Sequence, residues 1–404
     1  MRICIVYDCL YPHTVGGAER WYRNLAQELA RAGHDVTYLT RLQWEPGESA
    51  DLPGVRVVVV SRSEPLYNDD GRRRIGPPLR FGLGVLTHLL RNRRAYDAVH
   101  LCSFPYFSLL GARLALAGSR VTIGVDWFEV WSWSYWRDYL GPVGGRVGQL
   151  VQRLCARATP TAYVFSELHA RRLEEEGLRR PAVRLAGLYS GPNGAEPDVS
   201  TGPGRAPAEA PAGPSGPLVV FAGRHIPEKQ VELVPAAVAA ARERVPGLRG
   251  LILGDGPCRG DVLAAIAAAD ARELVDAPGF VESGDVQAAL ARATCHLLPS
   301  SREGYGLVVI EAEAFGTPSV VLSGPDNAAA ELVQDGVNGF VASGPEALAD
   351  AIVAVHEAGE PLRASTARWF ADNASALSAS ASATTILRRL ERAGEDPHPS
   401  HHVE

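Results

Sequence analysis

Arg224 and Lys229, five residues apart, are the side chains of this sequence best suited to binding an anionic ligand. They follow the β-branched run LVVFA (218–222), which predicts a buried strand, and a helical pattern begins after them. In doubly wound sheets, ligands bind at the carboxyl ends of strands, where helix N-termini favour anions. An arginine fork and a lysine point charge at such a place could clamp a diphosphate. A solvated surface pair is the alternative.

Lysine usage favours the functional interpretation. Of the 40 lysine and arginine residues, Lys229 alone is a lysine. A chain that otherwise uses arginine throughout has kept one compact ammonium, for which a wide planar guanidinium is no substitute. Chance survival is the alternative explanation.

Two glutamates frame a second pattern, SSREGYGLVVIE (300–311). Glu303 lies in a predicted strand-to-helix loop, and Glu311 lies about one turn into the helix, on the side facing that loop. Two carboxylates beside an anion site suit hydrogen bonds from vicinal hydroxyls, such as those of a sugar and a ribose. Acidic helix capping and an incidental helix acid are the alternatives. The glycines of this loop would let backbone amides approach a ligand, namely those of Gly304, Tyr305 and Gly306.

The elements that must position these residues alternate between strands and helices, which predicts an α/β fold with two parallel-sheet halves. Predicted strands are 2–7, 35–40, 55–60, 97–102, 121–125, 161–165, 218–222, 249–253, 295–299 and 318–322. Predicted helices lie near 18–32, 79–93, 105–117, 142–157, 167–177, 230–244, 260–270, 284–292, 307–315, 326–333, 345–357 and 361–392. A cleft between two such domains is the expected ligand site.

Composition narrows the class of protein. The 404 residues are 46% hydrophobic and 21% charged, typical of globular domains. The net charge of −6 excludes a global basic field, so nucleic acid is not an expected partner. No apolar run reaches the roughly 18 residues of a membrane span, and the N-terminal residues do not resemble a secretion signal. Six scattered cysteines without a C-x-x-C pair predict reduced core residues in a cytoplasmic protein.

Several segments resemble glycosyltransferase family 4. EGYGLVVIEAEAFGTPSVV, in which Glu303 and Glu311 frame seven residues, is similar to its E-x7-E signature. FAGRHIPEKQ is similar to its F-x-G-R-x-x-x-E-K-G segment, with Gln230 where glycine is usual. Other similar segments are ILGDGP (252–257), LLPSSREGYG (297–306), DGVNGF (335–340) and GGAER (16–20). The resemblance covers about residues 1–360.

This resemblance implies a GT-B fold, in which two Rossmann-like doubly wound domains face each other across a cleft. The expected N-terminal acceptor domain is 1–190, the Gly/Pro/Ala-rich linker is 191–217 and the donor domain is 218–360. In 361–404, a helix would cross back to the first domain before a frayed tail. The implied reaction is a retaining transfer of a sugar from a nucleotide-diphosphate donor, with no metal and no cofactor. The sequence has no D-x-D motif after a strand, which agrees with that expectation.

The resemblance implies a role for each residue of this sequence that matches a functional residue of the family. Arg224 and Lys229 would stabilise the leaving diphosphate. Glu303 would bind donor-sugar hydroxyls, and Glu311 would bind the ribose. Further donor-binding residues implied by the resemblance are Gly223, Gly304, Tyr305, Gly306 and Leu307, with Gly16 and Gly17 closing on the diphosphate from the other domain.

One segment departs from the family pattern. DWFEVW (126–131) resembles the loop T-x-H-E-x-W, where a histidine contacts the donor sugar, but Phe128 stands at that position. The donor could be a deoxy sugar, Asp126 could substitute for the histidine, or catalysis could be lost. Candidate donor-sugar or acceptor contacts in this segment are Asp126, Phe128, Glu129 and Trp131.

The acceptor side has two features. Residues 126–139 are rich in aromatic side chains that could stack on an acceptor, lie at a membrane interface or fill the core. Residues 72–94 contain seven arginines and no acid around an apolar stretch. Such a basic amphipathic face could dock on the inner membrane face, which would fit a small-molecule or lipid-linked acceptor such as an envelope lipid, a glycan or a secondary metabolite. A solvated arginine face is the alternative.

Other functions remain open. A sugar phosphorylase or a nucleotide-sugar epimerase would share the fold, although the two glutamates favour transfer over epimerisation. A catalytically impaired nucleotide-sugar-binding protein would fit Phe128. A dehydrogenase is disfavoured, because DCLYPHTVGGAE rather than G-x-G-x-x-G follows the first strand.

Overall fold

The computed structural model of the chain describes residues 1–45, 48, 50, 52–65, 74–191 and 216–395. Most of the predicted linker, Arg72, Arg73 and the predicted frayed tail lie outside these residues. The chain divides into two compact units. Unit 1 comprises Met1–Leu188 and the C-terminal part from Ser378, and unit 2 comprises Tyr189–Leu377.

Unit 1 contains a seven-stranded parallel sheet with the order β3-β2-β1-β4-β5-β6-β7. Continuous apolar runs such as ICIV in the first strand are typical of strands that helices cover on both faces. The strands are β1 (Arg2–Val6), β2 (Asp35–Arg41), β3 (Val55–Ser61), β4 (Ala98–Cys102), β5 (Thr122–Trp127), β6 (Thr161–Val164) and β7 (Val183–Arg184).

Six helices flank this sheet: α1 (Gly17–Arg31), α2 (Gly76–Arg91), α3 (Tyr106–Ala115), α4 (Trp133–Ala158), α5 (Glu167–Glu175) and α11 (Ala379–Glu395). The inward residues of α2, α3 and α4 share one hydrophobic core with the sheet, which places these three helices on the same sheet face. The last helix, α11, packs against α1.

Unit 2 contains a six-stranded parallel sheet with the order β10-β9-β8-β11-β13-β15 and a separate strand pair, β12-β14. The strands are β8 (Leu218–Ala222), β9 (Arg249–Leu253), β10 (Val275–Gly279), β11 (Cys295–Leu298), β12 (Arg302–Glu303), β13 (Ser319–Leu322), β14 (Asp326–Asn327) and β15 (Gly339–Ala342). The helices are α6 (Leu233–Arg242), α7 (Arg259–Ala268), α8 (Ser283–Arg292), α9 (Leu307–Glu313) and α10 (Leu348–Leu377).

The predicted α/β class with two parallel-sheet domains is confirmed, but several elements differ from the expectation. The predicted helix at 326–333 is strand β14 followed by a short 3-10 helix, Ala328–Leu332. Helix α4 consists of two helical segments that meet at a kink at Gly141; the segment after the kink matches the predicted helix at 142–157, whereas the segment that begins at Trp133 was not predicted. The predicted helix at 361–392 is divided between α10 and α11.

The cysteines are all free. Five are buried and Cys258 is half-buried. Burial raises the pKa of Cys155 and of Cys295 to about 12, so these thiols stay protonated and unreactive at neutral pH. Over the described ranges, we find no helix whose length and apolar character would allow it to cross a membrane.

Candidate functional site

The first part of the candidate site is the loop that follows β8. Gly223 continues the strand, the Arg224 side chain is exposed to solvent, and the loop then forms a short 3-10 helix, Pro227–Lys229. The neighbouring segment ILGDGP packs tightly on this loop. A Cβ at Gly254 would overlap the Gly223 carbonyl oxygen, and one at Gly256 would overlap that of His225. These glycines therefore shape the loop that carries Arg224.

Gln230 ends the 3-10 helix in the left-handed region, with φ 46° and ψ 43°. Non-glycine residues adopt this conformation at a cost of roughly 1–2 kcal/mol. Glycine is usual at this position of the family segment because it adopts the left-handed conformation without strain. The backbone of Gln230 is strained there.

Replacing Gln230 with glycine is expected to stabilise unit 2. Relief of the left-handed strain exceeds the extra chain entropy of glycine by about 0.5–1 kcal/mol. The apparent melting temperature should rise by roughly 1–4 °C. Differential scanning calorimetry would measure the change, with Gln230→Ala as a control that keeps the strain. An unchanged or lower melting temperature for Gln230→Gly would contradict this assignment.

The second part of the site is the loop between β11 and α9. Glu303 lies in the short strand β12, whose partner strand β14 places Asn327 opposite it. The amide of Asn327 donates to the carbonyl oxygens of Ser300 at 2.9 Å and Leu322 at 2.7 Å. The Ser300 hydroxyl donates to Glu303 Oε1 at 2.7 Å. This network fixes the position of the Glu303 carboxylate, which is nearly buried.

Direct contacts join the two loops. The Lys229 ammonium donates to Glu303 Oε1, and the two side chains are 20% and 10% exposed. Arg302 donates to Glu228 Oε1 at 2.9 Å, and the amide of Ser301 donates to the Glu228 carbonyl oxygen at 2.9 Å. The structure thus brings Lys229 and Glu303 together, and it leaves the Arg224 side chain exposed in the same loop as Lys229.

Sequence reasoning missed His296, which lies in β11 close to this ion pair. Its ring is fully buried, and Nδ1 lies 3.2 Å from the Ser319 hydroxyl. Burial, and secondarily the positive charge of Lys229, lowers the pKa of His296 to about 3. The histidine is therefore neutral at physiological pH, and Lys229 supplies the positive charge in this part of the site.

The remaining predicted residues of unit 2 follow along α9. Gly306 precedes the helix with φ 94°, and a Cβ there would lie 2.6 Å from Ala329 Cβ. Tyr305 is buried, and Leu307 begins the helix half-buried. Glu311 is half-buried and lies near Tyr189. Burial of Tyr189 is the main cause that raises the pKa of this tyrosine, and the negative charge of Glu311 is the second cause.

Glu313, two residues beyond Glu311, is a buried acid that the sequence did not single out. It is fully buried, Asn338 donates to its Oε1 at 2.9 Å, and its Oε2 has no hydrogen-bond partner. Burial raises its pKa well above the ordinary value, against a smaller lowering by Asn338. Burial therefore favours the neutral form of Glu313, which is a core residue of α9.

Glu313→Gln is expected to stabilise the protein increasingly as the pH rises above about 5. A raised folded-state pKa costs stability once the unfolded glutamate, with a pKa of about 4.3, releases its proton. The amide has nearly the shape of the neutral acid and removes that cost, so the gain in stability should be larger at pH 8 than at pH 5. Urea midpoints at pH 5 and pH 8 would measure the gain, with the exposed Glu273→Gln as control. An equal gain at both pH values would refute this interpretation.

In unit 1, Gly16 and Gly17 lie at the start of α1, with Gly16 as its extended N-cap residue. The predicted approach of these glycines to a diphosphate stays a prediction. Nowhere among the described residues do three or more His, Cys, Asp or Glu side chains group in a way that could hold a metal ion.

Asp126 lies at the end of β5 and is fully buried. Its Oδ2 accepts from Trp21 Nε1 at 2.8 Å, and its Oδ1 lies 3.0 Å from His100 Nε2. The suggestion that Asp126 substitutes for the family histidine stays a prediction.

The other predicted contacts of this segment are half-buried. Phe128 stacks on Phe165, with ring centroids 4.8 Å apart and planes at 3°. Glu129 accepts from Trp131 Nε1 at 2.9 Å. The aromatic segment divides between two roles, because Trp127 and Trp136 are buried in the core whereas Trp133 is 38% exposed.

Comparison with known proteins agrees with the family resemblance and with the fold. The "Glycosyl transferase 4-like domain" profile matches residues 16–188, and the "Glycosyl transferases group 1" profile matches residues 216–358. The D-inositol 3-phosphate glycosyltransferase of Nocardia farcinica is 33% identical over 358 residues, covering 82% of this chain and 74% of the relative. Curated Streptomyces relatives of 31% to 36% identity match shorter stretches, and the chain spans only 18% to 34% of their length.

Two solved structures show the same fold. Sucrose-phosphate synthase from Thermosynechococcus elongatus has a TM-score of 0.74 at 17% identity, covering 97% of this chain and 98% of that chain. Anabaena HepE in complex with UDP has a TM-score of 0.69 at 17% identity, covering 97% and 100%. At this level of identity, the likeness extends to the fold alone.

Proposed function

Because the chain belongs to the family 4-like glycosyltransferases and has their GT-B fold, we propose that it transfers a sugar from a nucleotide-diphosphate donor to an acceptor hydroxyl. The observation that carries this proposal is the half-buried Lys229 ammonium, which contacts Glu303 and lies in the same loop as the exposed Arg224, at the carboxyl end of β8. Two cations at such a place suit a diphosphate.

We propose the following roles for the residues of this chain in donor binding and sugar transfer. Arg224 and Lys229 offset the negative charge that develops on the leaving diphosphate. Glu303, fixed by Ser300, accepts hydrogen bonds from the donor sugar and orients it. Glu311 accepts from the ribose. The backbone around Gly223, Gly304, Tyr305, Gly306 and Leu307 approaches the donor, and we propose that Gly16 and Gly17 also contact its diphosphate.

The finer aspects of the reaction rest on the family resemblance. We propose that the transfer retains the anomeric configuration and requires no metal ion. The acceptor is an envelope lipid, a glycan or a secondary metabolite, and inositol phosphate joins the acceptors to be tested because of the N. farcinica relative. The place of action we propose is the cytoplasm, at the inner face of the membrane.

A donor panel tests the proposal. Purified protein is mixed with UDP-, GDP-, dTDP- and ADP-sugars, and binding is read by ligand-observed NMR. We expect one nucleotide sugar to bind, with EDTA leaving both binding and turnover unchanged. The anomeric coupling in the product's NMR spectrum then reports retention.

Two results would contradict the proposal. If a folded sample binds none of these donors, the proposed donor site is wrong. Binding without turnover over a broad acceptor panel would favour a nucleotide-sugar-binding protein, the alternative that Phe128 suggests.

A further inference from the structure

A large apolar surface lies on one side of unit 1. Helices α2, α3 and α4 cover the same face of the seven-stranded sheet, so their outward sides belong to one surface. Two glycines let α2 and α3 approach closely. A Cβ at Gly82 would lie 2.7 Å from Phe107, and one at Gly111 would lie 2.7 Å from the Gly82 carbonyl oxygen. Close packing of this kind makes a continuous surface, which we call the three-helix face.

Large hydrophobic side chains project from this face. After the kink in α4 they repeat every three or four residues, which places them on one side of the helix, and they are 48% to 75% exposed: Val143, Val147, Leu150 and Leu154. Leu140, directly before the kink, is 42% exposed. Four side chains at α2 are 46% to 63% exposed: Ile75, Leu79, Leu83 and Leu90. Leu114 on α3 is 66% exposed. Such a concentration on neighbouring helices marks an interaction surface, whereas scattered single residues would not.

The charges of the three-helix face have one dominant sign. The only acid within the three helices is Asp138, which pairs with Arg137 at the first turns of α4. Farther along α4, exposed arginines accompany the apolar stripe: Arg146, Arg153 and Arg157. Exposed arginines also lie at both ends of α2, at Arg74, Arg80 and Arg91. Arg80 and Arg153 form ion pairs with Glu64 and Glu176.

We propose that the three-helix face docks on an anionic lipid membrane. Leucine and valine side chains would enter the boundary between headgroups and acyl chains, and the arginines beside them would meet lipid phosphates. A second copy of the chain fits this face less well, because pairing two such faces would bring arginines against arginines. The chain as a whole carries a net charge of −6, so this basic face is a local feature.

This inference deepens the proposed place of action at the inner face of the membrane by naming the surface that makes the contact, and it does not depend on glycosyl transfer. The sequence suggested membrane contact for residues 72–94, of which Arg72 and Arg73 lie outside the described residues, and offered it as one of three roles for the aromatic segment 126–139. The structure adds α4, whose segment after the kink at Gly141 has its own apolar stripe. Membrane binding should therefore depend on α4 as well as on α2.

Vesicle co-sedimentation of the full-length chain tests this proposal. We expect binding to phosphatidylcholine vesicles that contain phosphatidylglycerol, weak binding to phosphatidylcholine alone, and weaker binding at higher salt. Leu150→Glu on α4 and Leu83→Glu on α2 should each lower the partition coefficient at least about tenfold. Both side chains are exposed, so the variants should fold. The matched control is Leu263→Glu on α7 of unit 2, at a residue 47% exposed, and it should bind as wild type does.

Three results would overturn the proposal. The first is a wild-type protein that does not bind anionic vesicles, and the second is undiminished binding by Leu150→Glu. The third is a stable wild-type dimer in sedimentation velocity that Leu150→Glu dissociates, which would assign the face to a second copy of the chain. Because the readout is sedimentation, none of these results depends on glycosyl transfer.

Discussion

Lys229→Ala is expected to lower kcat/KM for the donor by about 100- to 1,000-fold and to weaken donor binding beyond detection by ligand-observed NMR. Removal of one preorganised charge from the leaving group costs this much in other enzymes. Here the ammonium has no local substitute, because His296 beside it is held neutral and Arg224 projects into solvent. Steady-state kinetics and ligand-observed NMR with the donor found in the panel would measure both effects.

Two control variants separate chemistry from folding in this experiment. Lys229→Arg retains the charge in a wider planar group and should recover little activity, because the ammonium occupies a half-buried position against Glu303. The exposed Arg272→Ala in unit 2 should behave as wild type. Circular dichroism must show that each variant is folded, since removal of Lys229 leaves a nearly buried carboxylate without its cation. A folded Lys229→Ala variant with full turnover would refute the diphosphate role.

Glu303→Gln is expected to lower kcat/KM at least about 100-fold while leaving nucleotide binding nearly intact. The amide retains the size of the side chain and can still accept from the Ser300 hydroxyl, but it loses the negative charge that accepts hydrogen bonds from the sugar. Binding of the free nucleoside diphosphate and of the nucleotide sugar would be compared by titration. Only affinity for the sugar-bearing ligand should fall.

The double variant Lys229→Ala/Glu303→Gln tests whether the two residues act together. Since they form one ion pair, their effects on the activation free energy should be less than additive. Strictly additive losses would show that the pair is not functionally coupled, and a Glu303→Gln variant with wild-type kinetics would remove Glu303 from the site.

Sequence patterns predicted the elements that are apolar throughout, such as β8 and β11, because such runs bury on both faces of a parallel sheet. They missed β10, which contains Asp276 and Pro278 and lies at the sheet edge, where proline is tolerated. The two-residue strands β12 and β14 are too short to produce any periodicity. Yet this pair positions Glu303 opposite Asn327.

For the candidate site, residue types were more informative than spacing. The lone lysine and the two framing glutamates could be identified from the sequence, but the contact between Lys229 and Glu303 could not, since 74 residues separate them. The contacts of Asp126 with Trp21 and His100 could not be predicted either, because these residues are also distant in sequence. In contrast, the sequence alone shows that Gln230 replaces the glycine of the family segment. The backbone angles then explain why glycine is favoured there, because the residue adopts the left-handed conformation.

The lone lysine in contact with Glu303 also makes this chain a natural single-site reporter. An amine-acylating reagent can modify only one side chain, and the α-amine is its only other amine target. Because the ammonium is 20% exposed, slow acylation should be detectable, and any anion that occupies the place beside it should slow it further. Mass spectrometry of one peptide would then report the occupancy of this site directly, without an assay for turnover and without knowledge of the acceptor.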